Sequence, residues 1–222
     1  MDEMDPVIAA IVVDNGEPSL AECIESLRNQ SVEVRVVVAS GPKTDISLAR
    51  RLADEVYPPI EGIGRARVNA ILKERCEYIL SCDSDCIYDR DYARYALENL
   101  TRGARAVKAG SILPQEWDPR AIPELLITLP IGYEFALAFR RSAFLEAGIH
   151  LEDYSYPRRD IGTPVMLRLM PVIDFRMKVY ARMPTRNARI IMDYAPQLTA
   201  GTLPIMVPAT AIGLSEIKNW GV

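Results

Sequence analysis

Two carboxylates stand two residues apart in Asp83-Ser84-Asp85, just after the apolar run Tyr78–Ser81. Like charges held this close raise each other's cost of ionisation unless a cation neutralises them. Carboxylate oxygens are hard ligands, so the pair suits Mg²⁺ or Mn²⁺, and such an ion commonly accompanies a substrate diphosphate. The plain alternative is a solvated turn in which Asp83 caps the next segment. Asp-x-Asp is a common tripeptide, and its place after a buried strand is what gives it weight. Other polar clusters also follow apolar runs: Asp14-Asn15, Ser40-Gly41 and Gly62–Arg65. In open α/β sheets, ligands bind beyond the C-terminal strand ends, where such loops converge. Asp14, Asn15, Ser40, Arg65, Asp83, Ser84 and Asp85 are therefore candidates to line one site.

The elements that must position these residues alternate between strand and helix signals. Val7–Val13, Val34–Val38 and Tyr78–Ser81 are short apolar runs of the kind buried on both faces of a parallel sheet. A helical stripe of Leu20, Cys23, Ile24 and Leu27 follows Pro18-Ser19. Thr44 or Asp45 caps a helix over Ile46–Leu52, and a short strand is expected at Glu55–Tyr57. A third helix runs from Gly62–Gly64 toward Cys76. Asp91–Leu100 reads as an amphipathic helix and Ala104–Ile112 as a strand. This alternation predicts a mostly parallel sheet wrapped by helices, an α/β fold. Beyond Leu113 prolines interrupt the pattern. Strands are expected at Gly132–Arg140, Phe175–Ala181 and Ile190–Met192, and helices at Ser142–Ala147 and Asp160–Met170. A soft boundary near residue 113 divides the chain into 1–113 and 114–222.

Composition narrows the partners. The 222 residues are 49% apolar and 25% charged, the range of a globular domain. A net charge of -4 argues against a nucleic-acid polymer as partner. Lys43, Lys73, Lys108, Lys178 and Lys218 are the only lysines among 26 basic residues. Arginine binds carboxylate and phosphate as a fork, so Arg65, Arg158 and Arg159 beside the expected loops stand out from a surplus that otherwise reflects composition. Four cysteines do not make a disulfide scaffold. Cys82 and Cys86 read as small packing residues, since a thiolate zinc site needs more ligands. Met1–Pro6 lacks an apolar signal core, and Leu125–Ile131 and Leu203–Leu214 are short and broken by proline. These features predict a cytoplasmic protein with no membrane-spanning segment. Peripheral contact with a membrane surface stays open, as does the oligomeric state.

Three motifs in order resemble glycosyltransferase family 2 of the GT-A fold. The first is Val12-Val13-Asp14-Asn15 followed by Leu20–Ser31, similar to that family's strand, Asn-bearing loop and "L-x-x-C-L-x-S-L-x-x-Q-T/S" helix. The second is Tyr78–Asp85, similar to "Y-I-L-x-x-D-x-D". The third is Phe139–Gly148, similar to "F-R-R-S-A-L-x-E-A-G". The resemblance implies a GT-A, Rossmann-like sheet with a nucleotide-sugar-binding half over 1–113 and an irregular acceptor-side half over 114–222. It implies an inverting, non-processive transfer of one sugar from a nucleotide-diphosphate donor to an acceptor hydroxyl, assisted by Mn²⁺ or Mg²⁺. Asp85 then holds the metal, and Asp83 shares it or approaches the ribose. Asp14, Asn15, Ser40, Ser84 and Arg65 line the donor pocket. An inverting transfer needs a base to deprotonate the acceptor. Asp160, ahead of Leu167-Arg168-Leu169, is the candidate, and Asp153 of Glu152-Asp153 competes with it. Helix capping is the plain role for Asp160.

The chain departs from the family in places. Ala39-Ser40 stands where an acidic pair usually contacts the base. The spacing to Asn69 is one residue off, and Arg159-Asp160 replaces Glu-Asp. No Gln-x-x-Arg-Trp motif is present. Two alternatives follow: a nucleotide-sugar-binding protein without turnover, and a haloacid-dehalogenase-like phosphatase with Asp83 as nucleophile. The second lacks its usual Thr, since Ile87 stands there. His150 reads as a loop residue before a metal ligand, and Trp117 as a packing anchor or a sugar-stacking ring.

Overall fold

The computed structural model describes residues 8–114, 136–149 and 169–181. Eight strands form one sheet in the order β3-β2-β1-β4-β7-β6-β8-β5. Its first half is parallel: β1 (Ile8–Asp14) lies between β2 (Arg35–Ser40) and β4 (Tyr78–Asp83), and β3 (Glu55–Tyr57) forms the edge. Every residue of β1 is buried, because helices cover both of its faces. The other half is mixed. β7 (Leu137–Arg140) runs antiparallel between β4 and β6 (Ala106–Pro114), and β6 pairs parallel with β8 (Val172–Ala181).

One face packs on α1 (Leu20–Arg28), α2 (Ile46–Leu52) and α4 (Tyr92–Thr101). In α1 the residues Leu20, Cys23, Ile24 and Leu27 are buried, the stripe expected from their spacing. Each large apolar side chain on it contributes roughly 1.5–3 kcal/mol of burial. Asp45 caps α2 by accepting the Leu48 N–H at 2.9 Å. The other face packs on α3 (Ile63–Lys73) and α5 (Arg141–Glu146), with Ile79, Leu137, Phe139 and Phe144 in its core.

The expected strands and helices recur here with ends shifted by a few residues. One element was not expected. β5 (Cys86–Tyr88) is three residues long and pairs antiparallel with the end of β8, Cys86 opposite Ala181. It therefore anchors the far side of the Asp83-Ser84-Asp85 turn. The first four residues of the expected strand Gly132–Arg140, the expected helix Asp160–Met170 apart from its last two residues, and the expected strand Ile190–Met192 lie outside the described residues.

Candidate active site

The C-terminal ends of β1, β2 and β4 meet at one edge of the sheet. Asp14 is buried, and its carboxylate accepts the N–H groups of Gly16 at 3.0 Å and Glu17 at 3.1 Å. Its carbonyl accepts the Gly41 N–H at 2.6 Å and the Thr44 hydroxyl at 2.7 Å. Asp14 thus shapes its own loop and ties it to the next one. Gly16 has φ +92°, and a Cβ there would lie 2.8 Å from the Lys43 carbonyl oxygen, so the turn needs glycine. Asn15 accepts the Lys43 N–H at 3.3 Å. Ser40 is enclosed completely, and its hydroxyl has no hydrogen-bond partner among the described residues. Arg65 is exposed at the start of α3.

The Asp83-Ser84-Asp85 turn is pinned by its backbone. The Ser84 N–H donates to the Val13 carbonyl at 3.0 Å, and the Ser19 hydroxyl donates to the Ser84 carbonyl at 3.1 Å. The Asp83 N–H donates to the Tyr88 hydroxyl oxygen at 3.1 Å. The Cys23 thiol lies 3.4 Å from the Asp83 carbonyl. These contacts fix the turn without consuming its carboxylates.

Those two carboxylates meet different fates. Asp83 is paired with the guanidinium of Arg67, which also donates to the Ser81 hydroxyl at 2.5 Å. Arg67 is buried at 2% exposure in α3. Asp85 has no paired cation among the described residues, and its carboxyl is pushed up to about 6. Burial is the main cause, followed by the charge of Asp83, with Glu17 adding to it. Burial also drives the thiols of Cys23, Cys82 and Cys86 upward, Cys82 to about 12. They stay protonated packing groups. Among the described residues no set of three or more His, Cys, Asp or Glu converges to hold a metal.

The structure thus brings Asp14, Asn15, Ser40, Ser84, Asp83 and Asp85 to one end of the sheet, with Arg65 at the nearby helix start. Asp153, Asp160, His150 and Trp117 lie outside the described residues. Arg67 is the site residue that the sequence reading passed over. The available signal was its place three and four residues before Ala70 and Ile71, which puts a charge on the stripe that the helix buries.

Comparison with known proteins bears on the family and the fold. The sequence model of the family described as Glycosyl transferase family 2 matches residues 9–151. The low-salt glycan biosynthesis hexosyltransferase Agl6 of Haloferax volcanii is 32% identical over 117 residues, which is 50% of this chain and 28% of that protein. Among solved structures, the mannosyltransferase PcManGT of Pyrobaculum calidifontis, in complex with GDP-Man and Mn2+, is similar with a TM-score of 0.63 at 18% identity. That match covers 97% of this chain and 71% of the mannosyltransferase. S. aureus TarS gives a TM-score of 0.61 at 15% identity, covering 94% of this chain and 43% of TarS. The two structural matches are likenesses of fold. The chain spans about a quarter of the hexosyltransferase and under half of TarS. Among the described residues no helix is long and apolar enough to cross a membrane.

Proposed function

This chain belongs to glycosyl transferase family 2, and we propose that it moves one sugar from a nucleotide-diphosphate donor to an acceptor hydroxyl with inversion at the anomeric carbon. The observation that carries this reading is the Asp83–Asp85 turn. Two carboxylates are held by the pinned turn at the ligand end of the sheet, and Asp85 has no paired cation among the described residues.

The donor set fits a hard divalent ion. Asp85 would hold Mn²⁺ or Mg²⁺, Asp83 would share it, and substrate oxygens and water would complete the sphere. Such an ion, when bound, offsets the negative charge that develops on the leaving nucleoside diphosphate. The mannosyltransferase that shares this fold holds Mn2+ with GDP-Man, which supports the same class of donor here.

The protein's own groups do the rest. Arg67 holds Asp83 in place through an ion pair braced on Ser81. The Asp14–Glu17 loop, interlocked with Gly41 and Thr44, forms a fixed wall for the nucleotide. Asn15, Ser84 and Arg65 are the donor-pocket residues nearest solvent or the turn. Ser40, being fully enclosed, supports the pocket from beneath. The acceptor-activating base is assigned to Asp160, with Asp153 as competitor. Family membership sets the phosphatase alternative aside.

Thermal shift with UDP, GDP and their sugars, with and without Mn²⁺, tests this. Stabilisation by a nucleotide that requires the metal is expected. Absence of metal-dependent stabilisation by any of them defeats the reading. Asp160→Asn should keep donor binding and lose transfer. Unchanged transfer removes Asp160 from the base role, and binding with no transfer by the unaltered protein identifies a binder without turnover.

A further inference from the structure

Only Ser84 and Asp85 separate β4 from β5 in the chain. In the sheet, β7, β6 and β8 stand between them. The sheet therefore curls until its last strand returns to the end of β4. The Asp83-Ser84-Asp85 turn is the seam where the two meet.

β5 has a footing of its own. It pairs with β8, Cys86 opposite Ala181 and Tyr88 opposite Val179. The Tyr88 N–H donates to the Ser26 hydroxyl of α1 at 3.1 Å, and its ring meets Tyr92 of α4 edge-on at 5.0 Å. Side chains alternate along a strand, so Cys86 and Tyr88 share a face, the one that joins the core under α1 and α4. They are 1% and 2% exposed. From that footing each reaches one aspartate. The Tyr88 hydroxyl oxygen accepts the Asp83 N–H at 3.1 Å, and the Cys86 thiol donates to Asp85 Oδ1 at 3.4 Å. Arg67 holds the Asp83 side chain from the α3 side, so the turn is gripped from both faces of the sheet.

We propose that Cys86 and Tyr88 are positioning residues for the metal-holding turn, with β5 orienting the Asp85 carboxylate through one residue and the Asp83 backbone through the other. The proposal rests on the transferase reading and deepens it. A thiol is a weak donor, so its value lies in its fixed place. A carboxylate tied through one oxygen presents the other in one orientation, and groups that orient a ligating carboxylate set much of its hold on a metal. Because β8 carries β5, the shape of the turn depends on the pairing of the first half of the chain with the second.

The test uses the whole chain and the variants Cys86→Ala, Cys86→Ser and Tyr88→Phe. Thermal shift with UDP and with GDP, across a series of Mn²⁺ concentrations, gives the Mn²⁺ concentration that half-saturates the stabilisation. Melting without Mn²⁺ or nucleotide reads the plain structural cost of each change. Cys86→Ala should raise the half-saturating Mn²⁺ about tenfold, the low end for a group that orients a metal ligand. Cys86→Ser should recover most of that, because a hydroxyl also donates. Tyr88→Phe keeps the ring and should raise it as well. The two Cys86 variants decide the outcome even where Tyr88→Phe fails to fold. The same half-saturating Mn²⁺ in every variant, whatever its melting temperature, overturns the positioning role and leaves the transferase reading standing. A rise in Cys86→Ala that Cys86→Ser does not recover assigns the effect to packing and also overturns it. No metal-dependent stabilisation of the unaltered protein sinks the transferase reading, and the positioning role with it.

Discussion

Two aspartates of this fold, Asp174 buried and Asp85 half-buried, receive opposite treatment. Around Asp174, at the start of β8, the Arg176 guanidinium donates at 2.6 and 3.0 Å, the Asn99 amide at 2.7 Å and the Arg176 backbone N–H at 2.9 Å. Burial alone would raise this carboxyl, yet those partners hold it below its ordinary value. Around Asp85 burial raises the carboxyl too, and the nearest charge, Asp83, raises it further. Burial raises both carboxyls, so the partners decide the direction of the shift. A carboxylate that the protein balances itself belongs to the scaffold. One left unbalanced at the ligand end of the strands is a candidate to hold a cation.

Arg67 is the boundary between the two treatments, and removing it should have the largest effect. It balances Asp83 but leaves Asp85 open. In Arg67→Met, Asp83 would join Asp85 as an unbalanced charge. Chemical denaturation should show a loss of about 3 kcal/mol, the low end for a broken buried pair because Asp83 is 32% exposed. Arg67→Lys should recover only part of it, since a point charge cannot bridge Ser81 and Asp83 as a fork does. A loss below about 0.5 kcal/mol, the scale of a surface pair, would place Asp83 among solvated charges and erase the contrast.

Asp85→Asn should act in the other direction. The folded carboxyl titrates near 6 against an ordinary 3.8. Below 3.8 it is protonated folded and unfolded, so it costs nothing. Between 3.8 and about 6 the unfolded chain releases a proton that the folded chain keeps, and stability falls as pH rises. Above about 6 the full cost is present. Asp85→Asn should therefore be more stable than the unaltered protein at pH 8, by about 1–2 kcal/mol after allowance for its partial exposure. The gain should vanish near pH 3.5 if this account holds. The same variant should lose Mn²⁺-dependent nucleotide stabilisation. A variant less stable at pH 8 would mean that Asp85 already has a partner.

Much of this contrast was legible in the residues. Asp83 and Asp85 announced themselves by following a buried strand, and the strand–helix alternation placed them at the ligand end of an α/β sheet. Arg67 was not legible, because an arginine in a helix reads as surface until its stripe partners, Ala70 and Ile71, are set beside it. β5 escaped because Cys86–Tyr88 becomes a strand only by pairing with residues more than ninety positions away in β8. Propensity over three residues cannot carry that information. The enclosure of Ser40 and the tie from the Asp14 carbonyl to Gly41 and Thr44 depend on contacts between distant segments that no local pattern encodes. The close approach of Phe175 in β8 to Gly110 in β6 is of the same kind, since it arises at a register shift between two strands distant in sequence.

The smallest effect is expected at Asp174, where the balance is complete. Asp174→Asn keeps the shape and can still accept hydrogen bonds, but it gives up the charge that Arg176 answers. Arg176 is itself 47% exposed and also reaches Glu98 at 3.0 Å, so water and a second carboxylate soften the loss. Urea denaturation at pH 7 should show about 1 kcal/mol of destabilisation, near the value of one charge-assisted hydrogen bond. The sign of its pH dependence is opposite to that of Asp85. The folded carboxyl lies below the ordinary 3.8, so its contribution is present above 3.8 and is lost as pH falls through the lower folded value. The two variants should therefore approach the unaltered protein at low pH from opposite sides, Asp85→Asn from above and Asp174→Asn from below. Added salt should shrink the Asp174 difference more, because its partner is half exposed and screening acts on exposed charge. If both variants converged from the same side, partner chemistry would not be what separates these aspartates, and the case for Asp85 as the residue left open for a cation would fall with it.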